Sequence, residues 1–539
     1  MIPAFSRRVH VGLALVVVTS AGRAQDPGRI ARSSAGVIVT GSALATAAGL
    51  EILERGGNAV DAAVASAFAL AVAEPSQSGL GGRTHILIRT ASGQFFGLDG
   101  WTEVPAAATN PLAGESDSAY GYATIAVPGT VAALARALAE HGSLPLADVM
   151  APALALAERG FPLPLGEAAR LAAAADRLRE SAGSRRSFLQ ADGAPYSTGD
   201  RFAQPDLARV LRAIAAQGPD AFYRGWIADS IAADMTRHGG LVRRGDLERY
   251  QADVARIVRG SYRGYDVVGT YLPASGVTVI EALQILENFD LAGQVGTAEW
   301  ASLVARALLA SFADRAESQY LPADQEAVKL TSKDWAATRA RDIRTGERPP
   351  SPFGFDPDHT THLSVVDRNG MIVALTQSLG PNLGSKVVTA GLGFLYAATM
   401  GYLPARAPGD RPFSSQAPLI VLRDGRPVYV TGGGGGRRIV SASVAVLSRL
   451  IDQRLSLADA LAAPRLHPTD SRLILEQRAG AAWPGTARDG LAARGFTLGS
   501  NNDGAYFARL HAIEWDATRR EWVAVADDRW FGTAAGVRR

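Results

Sequence analysis

The chain has 539 residues, of which 47% are hydrophobic and 20% charged, with a formal net charge of +3. That length exceeds one ordinary core, so two large packed layers or two domains are expected, and no dense basic patch with interleaved aromatics speaks for a nucleic-acid partner. Cysteine is absent, which excludes disulfides, thiol nucleophiles and cysteine-ligated metals together.

Residues 1–24 have the pattern of a secretory signal: Arg7-Arg8, an apolar run over 11–19, and small residues at Gly22 and Ala24. The apolar run is too short for a stable membrane span, and Ser6-Arg7-Arg8 partly matches a twin-arginine signal. The mature chain is expected to begin near Gln25, periplasmic or secreted, with no membrane attachment beyond the signal.

A strand is predicted over 36–40 and a helix over 42–54, stopped by Gly56-Gly57. Asn58 caps the next helix, 59–72, and Asp61 stands in its first turn, where an acid suits the dipole. Small apolar residues all round mark that helix as buried. Ser78-Gly79-Leu80-Gly81-Gly82 then turns into strands over 85–89 and 95–98. Helical periodicity runs from 131 to 216, broken at Gly142, Pro145, Pro162 and Pro164, and again from 223 to 250. A strand over 261–269 precedes helices over 277–288, 300–319 and 333–345. The proline-rich stretch 348–354 reads as an exposed loop.

A hairpin follows, with strands over 358–367 and 371–378 around Arg368-Asn369-Gly370. Further strands are expected over 391–395, 418–422 and 428–431. Five glycines, 432–436, then lead into a helix reaching Gln453, with short helices over 456–463 and 487–494. Mixed helices and antiparallel hairpins make the fold class α+β.

Thr360 is the candidate catalytic residue of the hairpin. A threonine hydroxyl needs a base, and an N-terminal threonine carries one, because a free α-amine titrates at about 7.7–8.0. The chain would have to be cut between His359 and Thr360, by the Thr360 hydroxyl attacking the His359 carbonyl. An ordinary hairpin with surface threonines is the rival reading. The glycine run sits between strand and helix, which presents backbone N–H groups to an anion. No Gly-Lys-Ser/Thr follows it, which argues against phosphate. Beside Thr360 it suits the oxyanion of acyl transfer; close packing of a turn is the alternative.

Several segments, in order, resemble the γ-glutamyltransferase family of N-terminal nucleophile hydrolases. They include Gly56-Gly57-Asn58-Ala59-Val60-Asp61, Ser78-Gly79-Leu80-Gly81-Gly82, Val127-Pro128-Gly129-Thr130, Thr360-Thr361-His362-Leu363-Ser364-Val365, Arg411-Pro412-Phe413-Ser414-Ser415 and Ala463-Pro464-Arg465. The resemblance implies a four-layer αββα sandwich and autocleavage into a large subunit, 25–359, and a small subunit, 360–539. It implies Thr360 as nucleophile and, through its amine, base. It gives Ser378 as a second hydroxyl, Gly435 and Gly436 as oxyanion donors, and Ser414 and Ser415 as ligands of a substrate carboxylate. No metal and no cofactor is called for.

The departures concern the substrate. Trp101 stands where the family has an arginine for the glutamyl carboxylate, and Thr399-Met400-Gly401-Tyr402 lacks the family's acid for the ammonium. Gly380 replaces a family asparagine, for which Asn382 is a substitute. Arg83 is a candidate replacement carboxylate anchor, with a solvated arginine at the strand start as the rival reading, and Trp101 and Tyr402 are expected to wall an acyl pocket, with core packing as the alternative. The stretch after Met400 is short, which opens the site to water and favours hydrolysis over transfer. The expected activity is that of a self-processing threonine amidohydrolase acting on a small-molecule amide with a non-standard acyl group. The alternatives are a γ-glutamyl hydrolase or transpeptidase acting on glutathione-like substrates, and a non-catalytic binding protein on the same fold.

Overall fold

A computed structural model describes residues 28–108, 119–294, 296–317, 323–346, 359–401, 407–469 and 471–538. The signal at 1–24, the proline-rich stretch 348–354 and Tyr402 lie outside the described residues. Among the described residues no helix is long and apolar enough to cross a membrane.

Two antiparallel sheets form the centre. The first has the strand order Thr533–Gly536, Gly36–Thr40, His359–Asp367, Ile372–Gly380, Arg83–Arg89, Phe95–Gly100, Asp253–Val254. The second runs Ile30–Ser33, Glu521–Ala526, Arg509–Asp516, Arg426–Thr431, Leu419–Arg423, Tyr265–Thr270, Ile257–Tyr262. The short strand Gly433–Gly434 adds to Arg509–Asp516.

Alternation along each strand divides the apolar residues between two faces. Val37, Val39, Leu87, Val366 and Ile372 of the first sheet meet Val268, Ile420, Val430 and Ile513 of the second. The alternate residues Ile38, Ile86, Leu363 and Val365 pack outward with the helices Ala43–Glu54 and Ala59–Ala73. On the far side, Val267, Leu419, Val421 and Leu510 meet the helices Gly276–Leu286, Ala298–Glu317 and Arg438–Ile451. The layers are therefore αββα, as expected. Each fully buried Val or Leu contributes about 1.5–3 kcal/mol, and both sheets are buried on two faces.

The helix Ala59–Ala73 is buried along its whole length. Its N-terminus carries the full capping box: Asn58 accepts from Val60 and Asp61 N–H, and Asp61 accepts from Asn58 N–H. Its small residues allow close approach: a Cβ on Gly49 of the preceding helix would lie 2.3 Å from both Ser66 Oγ and Ile38 Cδ1.

Two expectations are corrected. The strand expected over 261–269 is two strands, Ile257–Tyr262 and Tyr265–Thr270, turning at Arg263 and Gly264 with φ of 51° and 80°. That double positive φ is a tight hairpin turn, hidden by an arginine where asparagine or glycine is usual. The stretch 391–395 is not a strand. Gly391 and Gly393 take positive φ, and Leu392, Phe394 and Leu395 fill the core from a loop.

Candidate active site

The inter-sheet face of the first sheet turns from apolar to polar along its length. Val366, Ile372 and Leu87 lie at the apolar end. Further along the strands, His362, Thr376 and His85 are cross-strand neighbours, and Ser378 pairs with Arg83 beyond them. Thr360 lies at this polar end, where the register shifts between His359 and Thr361, so that Thr360 faces both Ser378 and Leu379. Such a bulge re-aims the side chains at the break.

The Ser378 hydroxyl accepts from Thr360 Oγ1–H at 3.1 Å and from Gly380 N–H at 2.9 Å, and donates to the His359 carbonyl at 2.8 Å. One donor and two acceptor sites are thereby all used. Thr360 N–H donates to Gln77 Oε1 at 3.1 Å. Arg509 Nη2 donates to Thr360 O at 3.0 Å and to the same Gln77 oxygen at 3.3 Å.

Beneath the threonine lies a buried charged layer. Thr361 Oγ1 and Trp530 Nε1 each donate to a Glu74 oxygen at 2.8 Å. Burial raises the Glu74 pKa. Glu167, bonded to Ser76, is pushed up to about 7 by burial and by Glu74. Burial lowers Arg170 and takes Arg509 down to about 9. The gap among Glu74, Gln77, Thr360, Arg509 and Trp530 has no room for a water molecule. His362 is bonded to Thr376 and Ser364, and burial holds its pKa well below the usual value, so its ring is neutral.

The glycine run is more than a turn. Gly433 and Gly434 pair with Leu510 and Arg509, and a Cβ on Gly434 would fall 1.8 Å from the Thr360 carbonyl oxygen. Gly435 and Gly436 have φ of 135° and 59°, and among the described residues neither N–H donates to a backbone acceptor. The helix Arg438–Ile451 starts just beyond. Thr360, Ser378 and the glycine run thus converge, and Ser414 and Ser415 stand on the segment that leads into the strand Leu419–Arg423. Ser414 Oγ accepts from Gln416 N–H at 2.9 Å as a turn cap, and Ser415 Oγ accepts from Arg315 at 3.3 Å.

Arg83 and Trp101 form one unit. The guanidinium carbon lies 4.0 Å from the Trp101 ring centroid, and Nη1 donates to Thr399 Oγ1 at 3.2 Å. Arg83 is 4% exposed, so it is no solvated strand-end arginine. Trp101, expected as a pocket wall, is 1% exposed and also stacks with His85. Its indole packs in the interior, because the polar end of the sheet offers it a guanidinium and an imidazole as flat partners. Asn382 Nδ2 donates to Arg170 O at 3.2 Å, while its buried Oδ1 has no partner among the described residues.

Gln77, Glu74, Arg509 and Trp530 were not foreseen. Gln77 adjoins the Ser78–Gly82 turn, which is a usable signal; Arg509 and Trp530 come from strands and turns near the C-terminus without any motif.

Comparison with known proteins agrees with this fold. The family model for gamma-glutamyltranspeptidase matches residues 45–537. The Acylase ACY 1 proenzyme of Pseudomonas sp. (strain V22) is 36% identical over 86% of this chain and 87% of that protein. The Glutathione hydrolase proenzyme of Escherichia coli (strain K12) is 35% identical over 83% of each. The crystal structure of cephalosporin acylase from Bacillus halodurans superposes with a TM-score of 0.87 and 28% identity, covering 97% of this chain and 100% of that one. The chain belongs to the gamma-glutamyltranspeptidase family, as an amide hydrolase or acyltransferase of the N-terminal nucleophile type.

Proposed function

We propose that Thr360 cuts its own chain and then serves as an N-terminal nucleophile that hydrolyses small-molecule amides. The supporting observation is the Ser378 hydroxyl, bonded at once to Thr360 Oγ1 and to the His359 carbonyl oxygen. It orients the attacking oxygen and polarises the bond to be broken. Thr360 Oγ bonds to the His359 carbonyl carbon, the His359–Thr360 C–N bond breaks, and the hydroxyl proton passes to the departing nitrogen. Water then hydrolyses the resulting ester. The large subunit, 25–359, and the small subunit, 360–539, come from one precursor.

In the processed enzyme the freed amine takes the Oγ proton as Oγ attacks the substrate carbonyl. Gly435 and Gly436 N–H groups receive the oxyanion, and each such donor lowers the barrier by about 3–4 kcal/mol. The amine passes its proton to the leaving nitrogen, and water releases the acyl group. Export to the periplasm or the exterior follows from the leader pattern at 1–24.

The acyl group on this reading carries a carboxylate but no adjacent ammonium. Arg83 is the anchor, standing across from Ser378, and its planar fork suits a carboxylate. A second reading, a γ-glutamyl group as substrate, is favoured by the buried Asn382 Oδ1, which has no partner among the described residues and is an acceptor suited to an ammonium. A panel of acyl anilides varying in charge tests both. Turnover of anionic, non-zwitterionic anilides, abolished by Thr360→Ala, supports the first. Faster turnover of γ-glutamyl anilide, accelerated by glycylglycine, overturns it in favour of the second.

A further inference from the structure

The uncut chain already cradles the nitrogen that cleavage would free. Gln77 and Arg509 are 1% and 2% exposed. Gln77 follows the buried helix Ala59–Ala73, and its carbonyl is fixed by Leu379 N–H at 3.1 Å. Its side-chain oxygen accepts from Thr360 N–H and from Arg509 Nη2. Arg509 is fixed by its strand pairing with Gly434.

We propose that Gln77 and Arg509 are positioning residues for the Thr360 α-amine: the carboxamide oxygen holds the nitrogen beside Oγ1, and the guanidinium disfavours its protonated form. This rests on the reading of Thr360 as nucleophile. A base that already carries a proton takes no other, and an ordinary α-amine, titrating at about 7.7–8.0, is mostly protonated at neutral pH. Burial and a neighbouring cation both favour the neutral amine.

The surrounding charges allow that effect. Arg509 shares its acceptor oxygen with the amine, and Arg170 and Arg438 add charge of the same sign from the helices Leu165–Ala173 and Arg438–Ile451. Glu74, at the end of the buried helix, and Glu167 oppose them, but burial raises both toward the neutral form. His362 and His511 are neutral, the latter held by burial at about 4. Burial opposes ionisation of Asp527, but Arg529 and Arg465 hold its pKa below the usual carboxylate range and balance its charge. The His359 carboxylate made by the cut belongs to a chain end no longer tethered to Thr360.

The test is the acid limb of the kcat/KM pH profile on processed enzyme, which reports the free base. The wild-type limb is expected below pH ~7, and Arg509→Gln and Gln77→Glu should each raise it by about one unit, while Arg509→Lys restores it. An unmoved limb in both variants, with only the rate reduced, overturns the proposal in favour of a structural role. Should the variants not mature, carbamylation of the wild-type Thr360 amine by cyanate, followed by mass spectrometry across pH, decides. A midpoint below ~7 supports the proposal, and one at about 7.7–8.0 overturns it. A wild-type chain that is never cut would instead remove the nucleophile reading itself, so the two failures are distinguishable.

Discussion

Gly434 lies so close to Thr360 that a Cβ on it would stand 1.8 Å from the threonine carbonyl oxygen. Backbone against backbone has no flexible end to move aside. Gly434→Ala is therefore expected to destabilise by about 3 kcal/mol or more, at the upper end of overpacking costs, and to leave the precursor uncut. Gly485→Ala, where a Cβ meets nothing within 4 Å, should stay within about 0.5 kcal/mol of wild type. Thermal melting of both, with a gel for cleavage, checks the pair; an intact, processing Gly434→Ala protein would contradict the packing.

Ser378→Ala removes the hydroxyl that joins Thr360 Oγ1, His359 O and Gly380 N–H. Maturation is expected to slow by about 10²-fold, the low end for a positioned proton-handling group. Ser378→Thr keeps the hydroxyl and should mature within about tenfold of wild type. Time courses of precursor loss give the rates, and equal rates for the alanine and threonine variants would remove the role.

Arg83→Gln takes the charge off the Trp101 ring and away from the acyl site. A charge-assisted hydrogen bond is worth about 1.5–3 kcal/mol, so kcat/KM for anionic acyl anilides should fall by roughly 10- to 100-fold. Neutral acyl anilides should change by less than about threefold. Equal losses for both would mean that Arg83 supports the fold around Trp101 and does not bind substrate.

Glu167 gives a pH prediction for stability. Its folded pKa is raised from 4.5 to about 7, chiefly by burial and then by Glu74. Between these values the folded state binds more protons than the unfolded one, so stability falls as pH rises through this window and levels off above it. Glu167→Gln should flatten that part of the Tm-against-pH curve between about 4.5 and 7. An unchanged slope would place the proton elsewhere, with Glu74 the next candidate.

Much of this arrangement was legible in the sequence because local signals and ordered segments agreed. Asn-Gly at 369–370 marks the hairpin, alternation marks its two faces, and the family resemblance is what assigns Gly435 and Gly436 within the glycine run. Side chains that reach the site across the fold were not legible: Arg509 and Trp530 are brought to Thr360 by sheet pairing and a C-terminal turn, with no motif to announce them, whereas Gln77 adjoins the glycine-rich turn at 78–82. Trp101 shows the converse. Its position in the chain suggested a pocket wall, yet the buried Arg83 and His85 beside it make the interior its better environment.

A cut between His359 and Thr360 precedes every later step of the proposed reaction. Intact-mass spectrometry of the purified chain, with N-terminal sequencing of the smaller fragment, measures it directly. Two fragments are expected, the smaller beginning at Thr360, with Thr360→Ala remaining a single chain. A folded wild-type protein that stays uncut, or one cut at another bond, would contradict it.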